Sequence, residues 1–321
     1  MRVISVPCSY LKNCKKLICA NQYVIVLTGR SVLILSREME LVKQIDGFQY
    51  LYDGQLSPDG TKLLLISTGS NFYMLSMDTL ELLWKARVKE GKYCNLEGKG
   101  VWTLDGSRFL FIVLDQKTFQ YKIRSYNALD PNDFYDETSL SETHRIHEIL
   151  AIHSLNSYVL LGQDRFDEQF NLPSRPLKLF IYQAGICQEF VLNSQTGIPF
   201  GMNYDENLGK LIIYTDKGTF SCNLQGEDIR KISLENTDGN NSANPFSYYG
   251  FSQIKQIAMS QNGRYVFIAS SYGFDICDKE SGGVIFSKEY GFGAENFTEI
   301  QENLIVVCRY TGTASLYKIQ E

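Results

Sequence analysis

The chain repeats. Seven times a short polar segment leads into a run of apolar residues, at 23–27, 63–66, 109–113, 158–161, 211–214, 265–268 and 304–307. Successive runs stand roughly 40 to 54 residues apart, the spacing of one recurring supersecondary unit. The clearest copy is 55–88. It reads Ser57-Pro58-Asp59-Gly60, an apolar run 62–66, a Ser-Thr-Gly-Ser turn, a second run 71–75, a polar corner 76–79 and a last run 80–88. Asp-Gly accepts the positive φ of a tight hairpin, so Asp59-Gly60 is a turn with a mechanism. The pattern is that of four short antiparallel strands in about forty residues.

The turns before the apolar runs match one another: Asp59-Gly60, Asp105-Gly106, Asn156-Ser157, Leu208-Gly209 and Asn262-Gly263. A unit of this size, repeated seven times, predicts one all-β domain over 1–321, a seven-bladed β-propeller of four-stranded antiparallel blades. The blades fall near 15–46, 50–88, 97–130, 145–193, 198–235, 252–289 and 295–319. The third unit shows no clear fourth strand after 121–126. The seventh ends after three strands, while Arg2–Val6 is an extended apolar segment that precedes the first unit. An open seam would leave unpaired edges, so Arg2–Val6 is expected to complete the seventh blade and close the ring.

Ser57-Pro58-Asp59-Gly60-Thr61-Lys62 before an apolar strand resembles the WD-repeat and YVTN-like propellers, as does Ser260-Gln261-Asn262-Gly263-Arg264-Tyr265. The stretches 78–84 and 278–286 are similar to the strand corners of quinoprotein-type propellers. The resemblance spans the chain as a pattern; no Trp-Asp dipeptide ends a third strand and no Gly-His opens a unit. It implies the propeller fold, and propellers host unrelated activities. Quinone-dependent relatives use an adjacent cysteine pair, which this chain lacks, so no cofactor is expected.

Composition narrows the function classes. A formal net charge of −5 over 321 residues argues against a nucleic-acid module, which would show a basic face. No stretch approaches the roughly 20 apolar residues of a membrane span, and no apolar leader follows Arg2. A cytoplasmic monomer is the expectation. The eight cysteines form no Cys-x-x-Cys pair, and several lie in apolar runs, the setting of buried thiols.

In an up-and-down blade the turns after strands two and four share one face, and three long insertions map to that face: 128–145, 163–176 and 235–253. Long loops in compact domains are commonly functional. Phe246, Tyr248, Tyr249 and Phe251 are residues of the kind that anchor partners, although they also suit the start of the sixth inner strand or a plug in the channel. Arg165 and Arg175, beside Asp164, Asp167 and Glu168, suit either a charged ligand or local ion pairs.

Catalysis has thinner support. His144, His147 and His153 are the three histidines. On a strand His144 and His147 point to opposite faces, and His147 and His153 lie about 20 Å apart, so no metal site is expected. His153 aligns with Leu56, Trp102 and Met259, which makes it a core position. No Gly-x-Ser-x-Gly elbow occurs. Asp115, Asp164 and Asp216, at the ends of second strands, are the acids a propeller hydrolase or lyase could use. The expected function is therefore a non-catalytic platform for a protein or peptide; the alternative is a propeller enzyme or small-molecule binder with those carboxylates at the channel mouth. Deleting residues 1–8 is expected to lower the melting temperature far more than trimming a disordered terminus. An unchanged melting temperature would refute closure by Arg2–Val6.

Overall fold

The computed structural model describes residues 2–20, 22–88, 94–115, 120–137, 144–164, 176–183, 186–192, 197, 199–206, 209–215, 218–231, 254–309 and 311–320. The described strands form seven four-stranded antiparallel sheets, each with its strands in consecutive order except the last. They occupy 16–46, 51–87, 94–137, 144–191, 199–231, 254–289, and 294–320 together with 2–6. These are blades one to seven of a β-propeller: first strands of neighbouring blades meet from blade one to blade five, from six to seven and from seven back to one, and the Ile257 N–H donates to the Tyr214 hydroxyl between blades five and six. Among the described residues the helical content is two 3-10 turns, Ser9–Leu11 and His153–Leu155.

The ring closes as the extended N-terminus requires. Arg2–Val6 runs antiparallel to Ala314–Gln320, with Arg2 opposite Gln320 and Val6 opposite Leu316. The seam between blades seven and one then buries an apolar cluster that includes Leu11, Cys14, Leu17, Val306, Cys308 and Leu316. On the other side of the disc Arg37 donates to the carbonyls of Ala20 and Ile300, and the Gln301 amide donates to the Arg37 carbonyl, binding blade one to blade seven.

The turn that recurs in the sequence is one hydrogen-bonded device built three times. Asp59 accepts from the Ser57 hydroxyl at 2.5 Å and from the Thr61 N–H at 3.0 Å, while Lys62 N–H donates to Ser57 Oγ at 2.9 Å. These bonds, that from Ser57 foremost, pull the Asp59 carboxyl down to about 2. Thr103, Asp105, Ser107 and Arg108 repeat the arrangement in blade three. Ser260, Asn262, Arg264 and Tyr265 repeat it in blade six with an amide in place of the carboxylate. Gly60, Gly106 and Gly263 follow at φ of +70°, +69° and +70°, where a Cβ would be strained.

Packing between blades supplies the core. Second and third strands are buried almost throughout, as in Lys62–Ser67 and Asn71–Ser76, whereas fourth strands such as Leu82–Arg87 alternate with solvent. Blades two and three meet through Phe72, Trp84, Phe109, Phe111 and Tyr126, with edge-on and stacked rings 4.8–6.0 Å apart. Trp102 anchors the same interface by donating its indole N–H to the Gln55 carbonyl at 3.0 Å. Gly100 is needed there: a Cβ would stand 2.4 Å from the Phe111 ring.

Two sequence expectations are corrected. The insertion 128–145 contains the missing fourth strand of blade three, Phe134–Glu137, and ends in the first strand of blade four. Its described turn, 128–133, therefore follows a third strand and lies on the face opposite the turns after strands two and four. The strand was hidden because its register depends on a charge rather than on apolar alternation. Arg124, fully buried, sits directly opposite Asp136 and grips it at 2.6 and 2.9 Å. Phe134 lies 4.7 Å from the Arg124 guanidinium, and the Asp136 carboxyl is held below its usual range first by the bond from Arg124. The second correction concerns His153, which is exposed and caps blade four's first turn in a 3-10 bend closed by Asn156 at φ +47°. Its side chain lines the channel cavity with Leu56 and Trp102 but is left open to solvent there.

Removing the partner of a buried guanidinium strands a charge, so Asp136→Ala is expected to cost about 3 kcal/mol of stability in chemical denaturation. Asp136→Asn, which keeps an acceptor, should cost less; equal losses would contradict the charge-pair account.

Candidate functional site

The first strands line the central channel, and their register sets one residue from every blade at the same level. Lys16 stands opposite Leu27, Asp53 opposite Ile66, Glu97 opposite Ile112 and Glu148 opposite Leu161. Gly201, Gln256 and Asn296 complete the level opposite Tyr214, Ala269 and Cys308. In blades two, four, five, six and seven a β-bulge immediately precedes this residue, and Tyr52, His147 and Lys255 are among the extra residues it inserts. Because first strands start on the face that carries the turns after strands two and four, the level lies near the channel mouth on that face.

The channel holds a cavity of about 750 Å³ with a mixed polar and apolar lining, to which Lys15, Lys16, Tyr52, Asp53, Glu148 and Lys255 contribute near this mouth. Asp53 and Glu148 are buried carboxylates. Asp53 forms an ion pair with Lys16 across the blade boundary and accepts its own neighbour's N–H, from Gly54, at 2.8 Å. Gln256 accepts from the Phe297 N–H at 2.9 Å, linking blades six and seven at the same level. Gly54 permits the close approach: a Cβ would meet Ile18 at 2.9 Å.

Outside the mouth, the same face displays aromatic side chains. Tyr50 is 58 % exposed, Tyr272 45 % and Phe292 71 %. Tyr50 ends the connector from blade one to blade two at φ +46°, a conformation that a bulky residue rarely adopts. The connector is fastened to the neighbouring hairpin turn by Phe48 N–H to the Arg30 carbonyl and Leu51 N–H to the Gly29 carbonyl, at 3.2 and 2.7 Å. The Arg30 guanidinium lies 5.6 Å from the Tyr50 ring. A groove of about 580 Å³ runs between them, floored by Gly47 and Phe48.

Of the acids nominated from the sequence, Asp164 is occupied by structural contacts. It pairs with Lys178 at 2.8 Å and with His144 at 3.2 Å, and Lys178 also binds Glu189 at 2.7 Å. It does not line the channel cavity. Asp115 takes the last position of its strand, opposite Cys94 and Gln120. Asp216 lies outside the described residues, as do Phe246, Tyr248, Tyr249, Phe251, Arg165 and Arg175. Sequence reasoning passed over Lys16, Asp53 and Glu148. Their signal is positional: each stands four residues before the residue that opens its first turn, Ala20, Ser57 and Ile152.

Among the described residues no three His, Cys, Asp or Glu side chains gather as metal ligands, and no helix is long and apolar enough to cross a membrane. His147 is instead structural. As the bulge residue of blade four it is turned inward to Gln163 at 3.0 Å. Burial pushes its imidazole down to about 4; the Gln163 bond opposes this and nearby Arg145 adds to it.

The molecule is a seven-bladed β-propeller by topology, and the comparison with solved structures agrees. It is similar to the Cps50 (Swd1) β-propeller domain of Myceliophteria thermophila, with a TM-score of 0.68 and 12% identity over 99% of this chain and 98% of that one. At that identity the likeness establishes the fold. The same search matches 1427 chains, so the architecture by itself selects no activity. No protein-family profile matches the chain, and no curated protein matches it in sequence.

The His147 environment has a measurable consequence. A base whose folded pKa lies near 4 leaves the unfolded chain binding more protons as pH falls from about 6.5. The stability this contributes is present above about pH 6.5 and lost progressively towards pH 4, a difference of about 3 kcal/mol. His147→Leu should therefore flatten the denaturation free energy between pH 7 and pH 4 relative to wild type. Parallel pH curves would show that the ring is not held neutral.

Proposed function

We propose that the protein is a non-catalytic binding platform for a protein or peptide, acting as a cytoplasmic monomer through the face that carries the turns after strands two and four. The observation that carries this reading is Tyr50. An aromatic residue is kept in a left-handed conformation and more than half exposed by a connector tied to the adjacent turn, with Arg30 beside it. Rigid aromatics and arginines presented together are what protein partners bury most productively. Tyr272 and Phe292 extend the surface across blades six and seven. The insertions 163–176 and 235–253 follow a second and a fourth strand in the chain, and Arg165, Arg175, Phe246, Tyr248, Tyr249 and Phe251 are the contacts proposed on them.

The enzyme reading has less in its favour. Asp164 is held by His144 and Lys178, and the channel carboxylate Asp53 is neutralised by Lys16.

The test compares quantitative co-purification from cells for four proteins. Wild type and Leu129→Ala, an exposed position on the opposite face, should recover the same partners. Tyr50→Ala combined with Phe292→Ala, and a chain shortened within 235–253, should each lose at least tenfold of the specific partner. Equal recovery by all four would place the partner elsewhere.

A further inference from the structure

Cys14 and Cys308 lie 294 positions apart in the chain, yet their Sγ atoms are 3.2 Å apart. Cys14 belongs to the connector that leads from the closing strand Arg2–Val6 into blade one, and Cys308 to the second strand of blade seven, Leu304–Arg309. Both side chains are fully buried. Around them stand Leu11, Leu17, Val306 and Leu316, and the Cys14 thiol also donates to the Lys16 carbonyl at 3.7 Å. The Lys15 side chain reaches from the connector to the hairpin that follows Cys308: a Cβ on Gly312 would stand 2.8 Å from Lys15 Nζ. A disulfide requires roughly 2.05 Å between sulfurs, so the pair needs about 1.2 Å of further approach.

We propose that this pair is an oxidation site, and that a Cys14–Cys308 disulfide formed by peroxide converts the non-covalent closure of the ring into a covalent one. The route in is local. The connector's 3-10 turn, Ser9–Leu11, has no side-chain cap, and its release brings Cys14 to solvent. The Cys14 thiolate attacks peroxide: an S–O bond forms, the O–O bond breaks, and a sulfenic acid and water result. When the connector re-seats, the Cys308 thiolate attacks the sulfenic sulfur; the S–S bond forms, the S–O bond breaks and a second water leaves. Two thiols give up two electrons and two protons, and one peroxide becomes two waters. The partly exposed thiols Cys8 and Cys19 flank the same seam. Burial raises the Cys19 thiol above its ordinary range despite Arg37, so less of it is thiolate at neutral pH.

A bond at this point does what pairing by Arg2–Val6 cannot do alone. If the closing strand peels away, blade one stays attached to blade seven. The closed loop takes in nearly the whole ring, the situation in which a cross-link restricts the unfolded chain most.

The experiment treats the full chain with hydrogen peroxide, alkylates remaining thiols, digests without reductant and maps the peptides by mass spectrometry. The expected product joins the peptide of Cys14 to that of Cys308 with loss of two hydrogens. The oxidised protein should melt several degrees higher than the reduced one, and dithiothreitol should remove the gain. Cys14→Ala and, as a second variant, Cys308→Ala should show neither the link nor the shift; the mapping on wild type stands even if a variant folds poorly. Recovery of both cysteines singly alkylated or over-oxidised overturns the proposal. So does a link from Cys14 to Cys8 or Cys19, or a Cys14–Cys308 link that leaves the melting temperature unchanged.

Discussion

A ring of blades has no free-standing core: each sheet is buried by its neighbours, and the array is stable only when the last sheet meets the first. Closure therefore governs the rest. Here it is made by backbone pairing of Arg2–Val6 with Ala314–Gln320 and by the apolar seam that includes Leu11, Leu17, Val306 and Leu316. Pairing across the ends of the chain is the most non-local contact available, so its entropic cost is the largest in the fold. Arg37 and the Cys14–Cys308 contact sit at the same seam, on the place where the ring would open first.

Closure also shapes the mouth of the channel. Seven first strands converge on one axis, and five of them carry a bulge one residue before the same level. A bulge bends and twists its strand, which relieves crowding near the axis and turns selected side chains. His147 is turned inward and kept neutral, whereas Tyr52 and Lys255 line the cavity. Lys16 and Asp53, one on each side of a blade boundary, neutralise each other in a space too confined for an unpaired charge.

Much of the fold was legible because its signals are local. Ser57-Pro58-Asp59-Gly60 marks a hairpin through hydrogen bonds made within the turn, and the same chemistry recurs at Thr103 and Ser260. Blade three was harder to read: Phe134–Glu137 owes its place to Arg124 reaching across to Asp136, a cross-strand charge pair that periodicity does not reveal. His153 was misplaced for a related reason, since a single left-handed residue, Asn156, bends the chain into a 3-10 turn. Counting strands groups the turns after strands two and four on one side of the disc, but without Phe134–Glu137 it assigns 128–133 to that side as well. Tyr50 and Arg30 were not legible, because exposure and a positive φ belong to the folded connector.

By itself the sequence determined the period, the number of blades, the strand order within each blade and the need for an N-terminal closing strand. All of these follow from alternation and turn chemistry acting over a few residues. Tertiary structure decided which side chains share the channel level, which carboxylate is neutralised by which lysine, and that two cysteines 294 positions apart come into contact. Those outcomes depend on register across blades and on the geometry of closing a ring of seven. They are set by packing between segments far apart in the chain, which no local pattern encodes.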